Sequence, residues 1–421
     1  MRIAMLSYRS KPHCGGQGIY LRHLSRELTA LGHSVEVFSG QPYPVLDEGV
    51  TLTKLPSLDL YREPDPFRVP KLKEFRDRID VEEFLTMCLA GFPEPKTFSS
   101  RVSRALKERV GEFDIAHDNQ VLGTGMLDIE GYGLPLITTL HHPISFDRRI
   151  DLSQTRNPWR KLTLRRWYGF LRMQARVARQ ARLIMTPSET SKKDIAKDFG
   201  VDPAKMQVIL LGVDDMFVPP STPRVPGRIM AMASADAPMK GIVTLLEAFA
   251  KLRTERDAEL VLVTKPQPGG RTEKVIERLG IGPHVRFVSG ISDEELVTLM
   301  GSAEVACVPS LYEGFSLPTA ELMACATPLI VSRAGAIPEV VGADGLCADL
   351  VTPGDVGELK TALADMLDDP ERRARMGAAG RQRVEEMFSW RAVAVKVAAA
   401  YESVIADFHQ NPPAPTSKDT I

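Results

Sequence analysis

Apolar residues fall along this chain in short runs separated by longer stretches with helical spacing. Residues 3–6 form a compact apolar run, and Cys14-Gly15-Gly16-Gln17-Gly18 follows as a glycine-rich loop. From 19 to 31 the positions Leu21, Leu24, Leu28 and Leu31 recur at helical intervals, and Gly32 suits the left-handed residue that ends a helix. Residues 34–38 then predict a second strand. Strand, glycine loop, helix and strand make a β-α-β unit, which implies parallel strands and a right-handed crossover.

Residues 41–110 break that rhythm with eight prolines (42, 44, 56, 64, 66, 70, 93 and 95) and charged helical patches between them. Such an excursion from a regular domain commonly shapes a substrate site. Strands resume at 115–117, 136–140, 183–186 and 207–210, and a long basic helix is predicted near 160–182. Residues 216–227 are rich in proline and without period, which reads as a linker. Beyond it, apolar runs at 228–233, 260–264, 285–288, 305–309 and 329–331 predict a second parallel α/β set. The expected domains are 1–214, with a last helix at 391–408 packing back on it, and 215–390. Residues 409–421 read as a disordered tail.

Composition narrows the function classes. The charged fraction of 25% is ordinary, and a net charge of −1 gives no global field for nucleic acid. The cysteines Cys14, Cys88, Cys307, Cys325 and Cys347 are scattered, without the pairing that a structural zinc or disulfide framework needs. The N-terminus reads as a buried strand, not a signal peptide, and no stretch approaches the ~20 apolar residues of a membrane span. The expectation is a cytoplasmic enzyme that meets a membrane, if at all, from its inner face.

Two carboxylates stand out. Glu313 follows the strand at 305–309, and Glu321 lies eight residues on, in the first turns of a helix that Pro318 helps to start. Open α/β sheets bind ligands at the carboxyl ends of their strands, and a helix start offers free N–H groups to an anion. Spacing alone leaves two readings, a ligand cleft and carboxylates on a solvated helix.

The whole run from Val308 through Glu321 to Pro328 resembles the E-x7-E signature of glycosyltransferase family 4. Gly15-Gly16, Thr186-Pro187-Ser188, Leu211-Gly212-Val213-Asp214, Lys240-Gly241 and Gly335-Ala336-Ile337-Pro338-Glu339 match further family landmarks in order along the chain. The resemblance implies the GT-B fold, with two Rossmann-like domains whose parallel sheets face across a cleft. It also implies sugar transfer with retention, from a nucleotide diphosphate sugar, without a bound metal or other cofactor. Glu321 would accept from the donor's ribose hydroxyls, and Glu313 would hold the sugar. Backbone N–H groups of Gly314, Phe315 and Ser316, with Lys240, would bind the diphosphate, which Gly15 and Gly16 would approach from the first domain. His141 matches the family's active-site histidine. His142, its neighbour, and His117, at the end of a strand, are placed on the acceptor side, a buried structural role for His117 being the alternative. UDP is favoured as the family's commonest nucleotide, with GDP and ADP open.

One position departs from the family. An arginine usual six residues before the lysine is here Ser234, and a hydroxyl cannot replace a guanidinium. Lys265 is the first candidate to supply the missing charge, and Arg271 the second. The basic stretch adds an acceptor clue. Nine cations and no acid lie between Leu152 and Ser188, with Arg165, Arg166, Arg172, Arg176 and Arg179 on one face of a single helix. That pattern suits an anionic membrane surface and inclines the acceptor toward a lipid or lipid-linked saccharide. Two rivals stand beside this reading, a noncatalytic nucleotide-binding protein and a dinucleotide oxidoreductase. The second lacks both the G-x-G-x-x-G spacing and an acid after the second strand.

Overall fold

The computed structural model describes residues 1–10, 16–62, 65–232 and 237–413. Gly15 and Ser234 therefore lie outside the described residues, as do the last eight of the tail. The chain divides into two compact units, Met1–Leu210 with the segment from Trp390 onward, and Leu211–Ser389.

The first unit carries seven strands: β1 (Arg2–Ser7), β2 (Ser34–Ser39), β3 (Thr51–Lys54), β4 (Ile115–Asn119), β5 (Leu136–Thr139), β6 (Ile184–Thr186) and β7 (Met206–Val208). They form one parallel sheet in the order β3-β2-β1-β4-β5-β6-β7. The second unit has β8 (Val225–Met232), β9 (Glu259–Val263), β10 (Val285–Val288), β11 (Ala303–Val308), β12 (Leu329–Ser332) and β13 (Asp349–Val351), ordered β10-β9-β8-β11-β12-β13. All of these pairings are parallel too. Each sheet reverses its winding direction once, between β1 and β4 and between β8 and β11. Those switch points are where an open α/β sheet leaves a crevice for a ligand.

The short apolar runs form strands because both faces of each sheet are covered, so alternation is unnecessary. Ile3, Ala4, Met5 and Leu6 are all fully buried. Leu21, Leu24 and Leu28 of the helix Gly16–Ala30 are buried as well, each contributing about 1.5–3 kcal/mol by leaving water. The C-terminal helix Trp390–Gln410 packs against that helix inside the first unit.

Several sequence expectations need correction. The single helix at 160–182 is two helices, Pro158–Trp167 and Leu171–Gln180, parted by a 3-10 turn at Tyr168–Phe170. Gly169 weakens helix there, and the Tyr168 hydroxyl is drawn away to donate to Asp151 Oδ2 at 2.7 Å. The common arginine face is thereby split. β8 begins three residues earlier than expected, so 225–227 belong to a strand and not to the linker. The last helix runs on to Gln410, two residues into the expected tail. β3 and β13 had no expectation at all.

Candidate active site

The second unit gathers its chemistry at the switch point between β8 and β11. The turn Pro238–Lys240 is closed by Gly241, whose φ is +64° and whose Cβ, were there one, would stand 1.9 Å from the carbonyl oxygen of Pro309. Only glycine allows that approach, and it lays the turn against the end of β11. Leu311 N–H donates to Met239 O at 2.7 Å and ties the two loops together. Lys240 Nζ thus reaches Glu313 Oε1 at 2.7 Å, and Ser310 Oγ donates to the same oxygen at 2.7 Å. Gly335 secures the other side: its φ is +55°, and a Cβ would meet Glu313 O at 2.1 Å. Ala336 N–H donates to that carbonyl at 2.9 Å.

The helix Leu317–Ala324 starts from Ser316, a buried non-glycine residue at φ +83°. Such a conformation costs about 1–3 kcal/mol and is held by its surroundings. Here the Ser316 hydroxyl meets Thr319 Oγ1 at 2.8 Å, and the Phe315 ring packs edge-on against Phe388. The N–H groups at Ser316, the N-cap, and Leu317, the first helical residue, are among those for which a helix has no internal acceptor. Glu321 lies on this helix with its carboxyl raised to about pH 7, mainly by burial and further by Asp214 and Asp293. Lys265 stands exposed beyond β9, on the neighbouring strand's end, and Arg271 opens the helix Arg271–Leu279.

In the first unit, His141 follows β5 and is fixed from four directions. Its ring Nε2–H donates to Asn119 Oδ1 at 2.9 Å, and its backbone N–H donates to Gln120 Oε1 at 2.7 Å. Its carbonyl accepts from Ser191 Oγ at 3.0 Å, and Tyr20 packs edge-on to the ring at 4.8 Å. Loss of hydration, with His142 beside it, holds its pKa at about 3 although one edge is partly exposed. The imidazole is therefore neutral at any working pH. Gln120 also donates to the carbonyl of His142 at 3.1 Å, and His142 Nε2 is 3.3 Å from Asp147.

Asn119 and Gln120 were missed by the sequence reading. Their signal was the polar run Asp118-Asn119-Gln120 ending an otherwise buried strand. Gln120 and Leu122 both have positive φ, 57° and 51°, and Asp118 holds this turn by accepting from the N–H groups of Val121 and Leu122 at 2.7 and 3.0 Å.

His117 is wholly buried. Its Nδ1 meets the Tyr401 hydroxyl and its Nε2 the Thr139 hydroxyl, each at 2.7 Å. Both nitrogens are spent within the unit, tying β4 and β5 to the C-terminal helix, which is the structural alternative and not an acceptor-facing role. Gly16, by contrast, opens its helix with nothing near the place of a Cβ. No group of three His, Cys, Asp or Glu residues is disposed to hold a metal among the described residues.

The chain matches two family models, Glycosyltransferase Family 4 over residues 14–217 and Glycosyl transferases group 1 over 219–383. It is 59% identical to the MMP α-(1→4)-mannosyltransferase of Mycolicibacterium hassiacum, over 96% of this chain and 99% of that one. The D-inositol 3-phosphate glycosyltransferase 2 of Catenulispora acidiphila is 27% identical over 96% of each chain. Among solved structures, sucrose-phosphate synthase from Thermosynechococcus elongatus aligns with a TM-score of 0.71 at 22% identity, covering 96% of this chain and 99% of its own. Anabaena HepE in complex with UDP-glucose aligns at 0.68 and 17% identity, covering 96% and 100%. These two likenesses show the fold.

Proposed function

The chain belongs to glycosyltransferase family 4 with the GT-B fold, and from that premise we propose that it moves a mannosyl group from a nucleoside-diphosphate mannose to a hydroxyl of a saccharide, with retention at the anomeric carbon. Being a glycosyltransferase, it is neither the dinucleotide oxidoreductase nor the noncatalytic binding protein weighed from the sequence. The 59% identity to a mannosyltransferase across nearly all of both chains carries the choice of sugar. An α-(1→4) product formed from an α-linked donor requires retention.

In the transfer, the acceptor oxygen bonds to the anomeric carbon while that carbon's bond to the diphosphate oxygen breaks, its electron pair leaving with the diphosphate. The acceptor proton departs with the same leaving group. Charge accumulates on the diphosphate, where Lys240 and the backbone N–H groups of Gly314, Phe315 and Ser316 oppose it. Lys240 has three N–H donors, so its bond to Glu313 leaves two for phosphate oxygens. Glu321 takes the ribose and Glu313 the sugar hydroxyls, and neutral His141 is assigned to the transferred sugar. Lys265 supplies the second cation in place of the arginine absent at Ser234, and the Gly15-Gly16 loop is assigned to the phosphates.

A reversible contact with an anionic lipid surface belongs to the same proposal. No described helix is long and apolar enough to cross a membrane. Trp159 is 78% exposed and Leu162 49%, on a helix that also exposes Arg160, Arg165 and Arg166. The test of the transfer is incubation with UDP-, GDP- and ADP-mannose and an α-(1→4)-linked mannotriose. Elongation by one mannose from one of these donors is the expected result. Faster transfer from the matching nucleoside-diphosphate glucose would overturn the choice of sugar.

A further inference from the structure

Asn119 closes β4 at the first unit's switch point, and its fully buried side chain joins three elements. Asn119 Nδ2 donates to the carbonyl oxygen of Gln17 at 3.2 Å, and Asn119 Oδ1 stands 2.9 Å from His141 Nε2. Gln17 is the second residue of the helix Gly16–Ala30, and His141 lies two residues beyond the end of β5.

A backbone carbonyl can only accept, so it decides which end of the amide points at Gln17. The opposite orientation would set Asn119 Oδ1 against the Gln17 oxygen, two buried acceptors with no proton between them. Oδ1 therefore faces the imidazole, and Nε2, aimed at an acceptor, carries the ring's proton. The ring is neutral, since loss of hydration and the neighbouring His142 hold its pKa at about 3. A neutral imidazole has a single N–H, so Nδ1 is left with a lone pair.

That lone pair is free. The hydrogen bonds of His141 use its Nε2, its backbone N–H and its carbonyl, and none uses Nδ1. Nδ1 is not one of the sealed, unpartnered polar atoms either, and the residue is partly exposed, so the nitrogen is open to a ligand. Turning the ring over would break the bond to Asn119, and Tyr20, edge-on at 4.8 Å, restricts its rotation. A nitrogen lone pair attracts a hydroxyl proton and repels a charged phosphate oxygen.

We propose that Asn119 is a positioning residue: anchored on Gln17, it keeps the His141 proton on Nε2 and so dedicates Nδ1 to accepting from a hydroxyl of the transferred sugar. The second half of this rests on the mannosyl transfer proposed above. Two measurements test it. The first is nitrogen NMR of the imidazoles in isotope-labelled wild type and Asn119→Ala, with the His141 signals assigned by their loss in His141→Gln. Wild type should show a protonated Nε2 and a bare Nδ1, and Asn119→Ala a proton divided between the two nitrogens.

The second is steady-state kinetics with α-(1→4)-linked mannotriose, the active nucleoside-diphosphate mannose, and a series of donors each lacking one mannose hydroxyl. Asn119→Ala should lose about tenfold in kcat/KM for the full donor, the size of one hydrogen bond, with the acceptor KM unchanged. One deoxy donor should lose about as much with wild type and far less with Asn119→Ala. A wild-type proton on Nδ1 would overturn the proposal whether or not the variant folds. So would an Asn119→Ala protein that keeps its proton on Nε2, or deoxy losses that are equal in the two proteins. A wild type that transfers no mannose, while its proton sits on Nε2 and shifts in the variant, would bring down the mannosyl reading and leave the hold of Asn119 on the ring standing.

Discussion

Glu321 holds its carboxyl near pH 7 because burial and two nearby aspartates disfavour its charge. Ribose hydroxyls donate most strongly to the ionised form, so donor binding should favour deprotonation. Below about pH 7 a proton must leave before the ribose is held. Donor affinity should therefore climb between pH 6 and 8 and level off above, and Glu321→Gln should bind weakly without that slope. Isothermal titration of nucleotide at three pH values reads this, and a flat wild-type profile would remove Glu321 from the ribose. Lys240 is tested differently, because its charge counts most as the diphosphate leaves. Lys240→Ala should lower kcat about 100- to 1000-fold, the cost of losing one preorganised group at a developing charge. Lys265→Ala should follow it in direction, and unchanged kinetics there would discard Lys265 as the replacement cation. Glu313 and Glu321 were legible because they stand in one local pattern, and Lys240 was legible in another, 73 residues away, that the structure brings to within 2.7 Å of Glu313. Asn119 and Gln120 were not, since their role depends on the side chains of another strand's loop reaching His141.

At the scale of elements, apolar runs found the central strands of both sheets, where burial on two faces writes itself into the sequence. β3 was illegible: Thr51–Lys54 holds one apolar residue, Leu52, and lies at the sheet's edge with none of its residues fully buried. The basic stretch shows how a correct periodicity misleads when the helix breaks. Arg166 Nε donates to Leu89 O at 2.7 Å, Arg179 Nη1 to Phe199 O at 2.7 Å, and Arg182 pairs with Glu130 and Asp407. These three cations are engaged by protein, while Arg160, Arg165, Arg172 and Arg176 are exposed, as is Trp159. Each cation near an anionic surface contributes ~1 kcal/mol, screened by salt. Cosedimentation with anionic vesicles should thus occur at low salt, fade at high salt, and weaken when Trp159, Arg160 and Arg165 become Ala, Gln and Gln. Equal absence of binding by both proteins would remove the membrane contact.

For the whole molecule, the two sheets and their parallel order followed from the β-α-β rhythm, whereas the Arg9–Glu94 ion pair, at 3.7 Å, joins distant segments and left no mark on sequence spacing. The molecule's buried titratable groups also set how stability varies with pH. Glu94 titrates at about 8, and Asp118 and Glu321 at about 7, all raised by burial above the ~4 of an unfolded carboxyl. The folded chain then holds more protons than the unfolded one, so these groups lower stability as pH rises from about 4 toward 8. His117 and His141, held at about 3, act in the opposite sense, losing stability as pH falls below the ~6.5 of a free imidazole. Above that value only the carboxyls contribute. The melting temperature should therefore decline from pH 6.5 to 8, and a rise over that interval would contradict the burial assigned to them. The most direct test of the central claim is proton NMR of the product formed from nucleoside-diphosphate α-mannose and α-(1→4)-linked mannotriose. A new α-anomeric mannose on the saccharide, lost in Glu313→Ala and Lys240→Ala, is the expected spectrum. A β-anomeric product, or undiminished product from both variants, would contradict it.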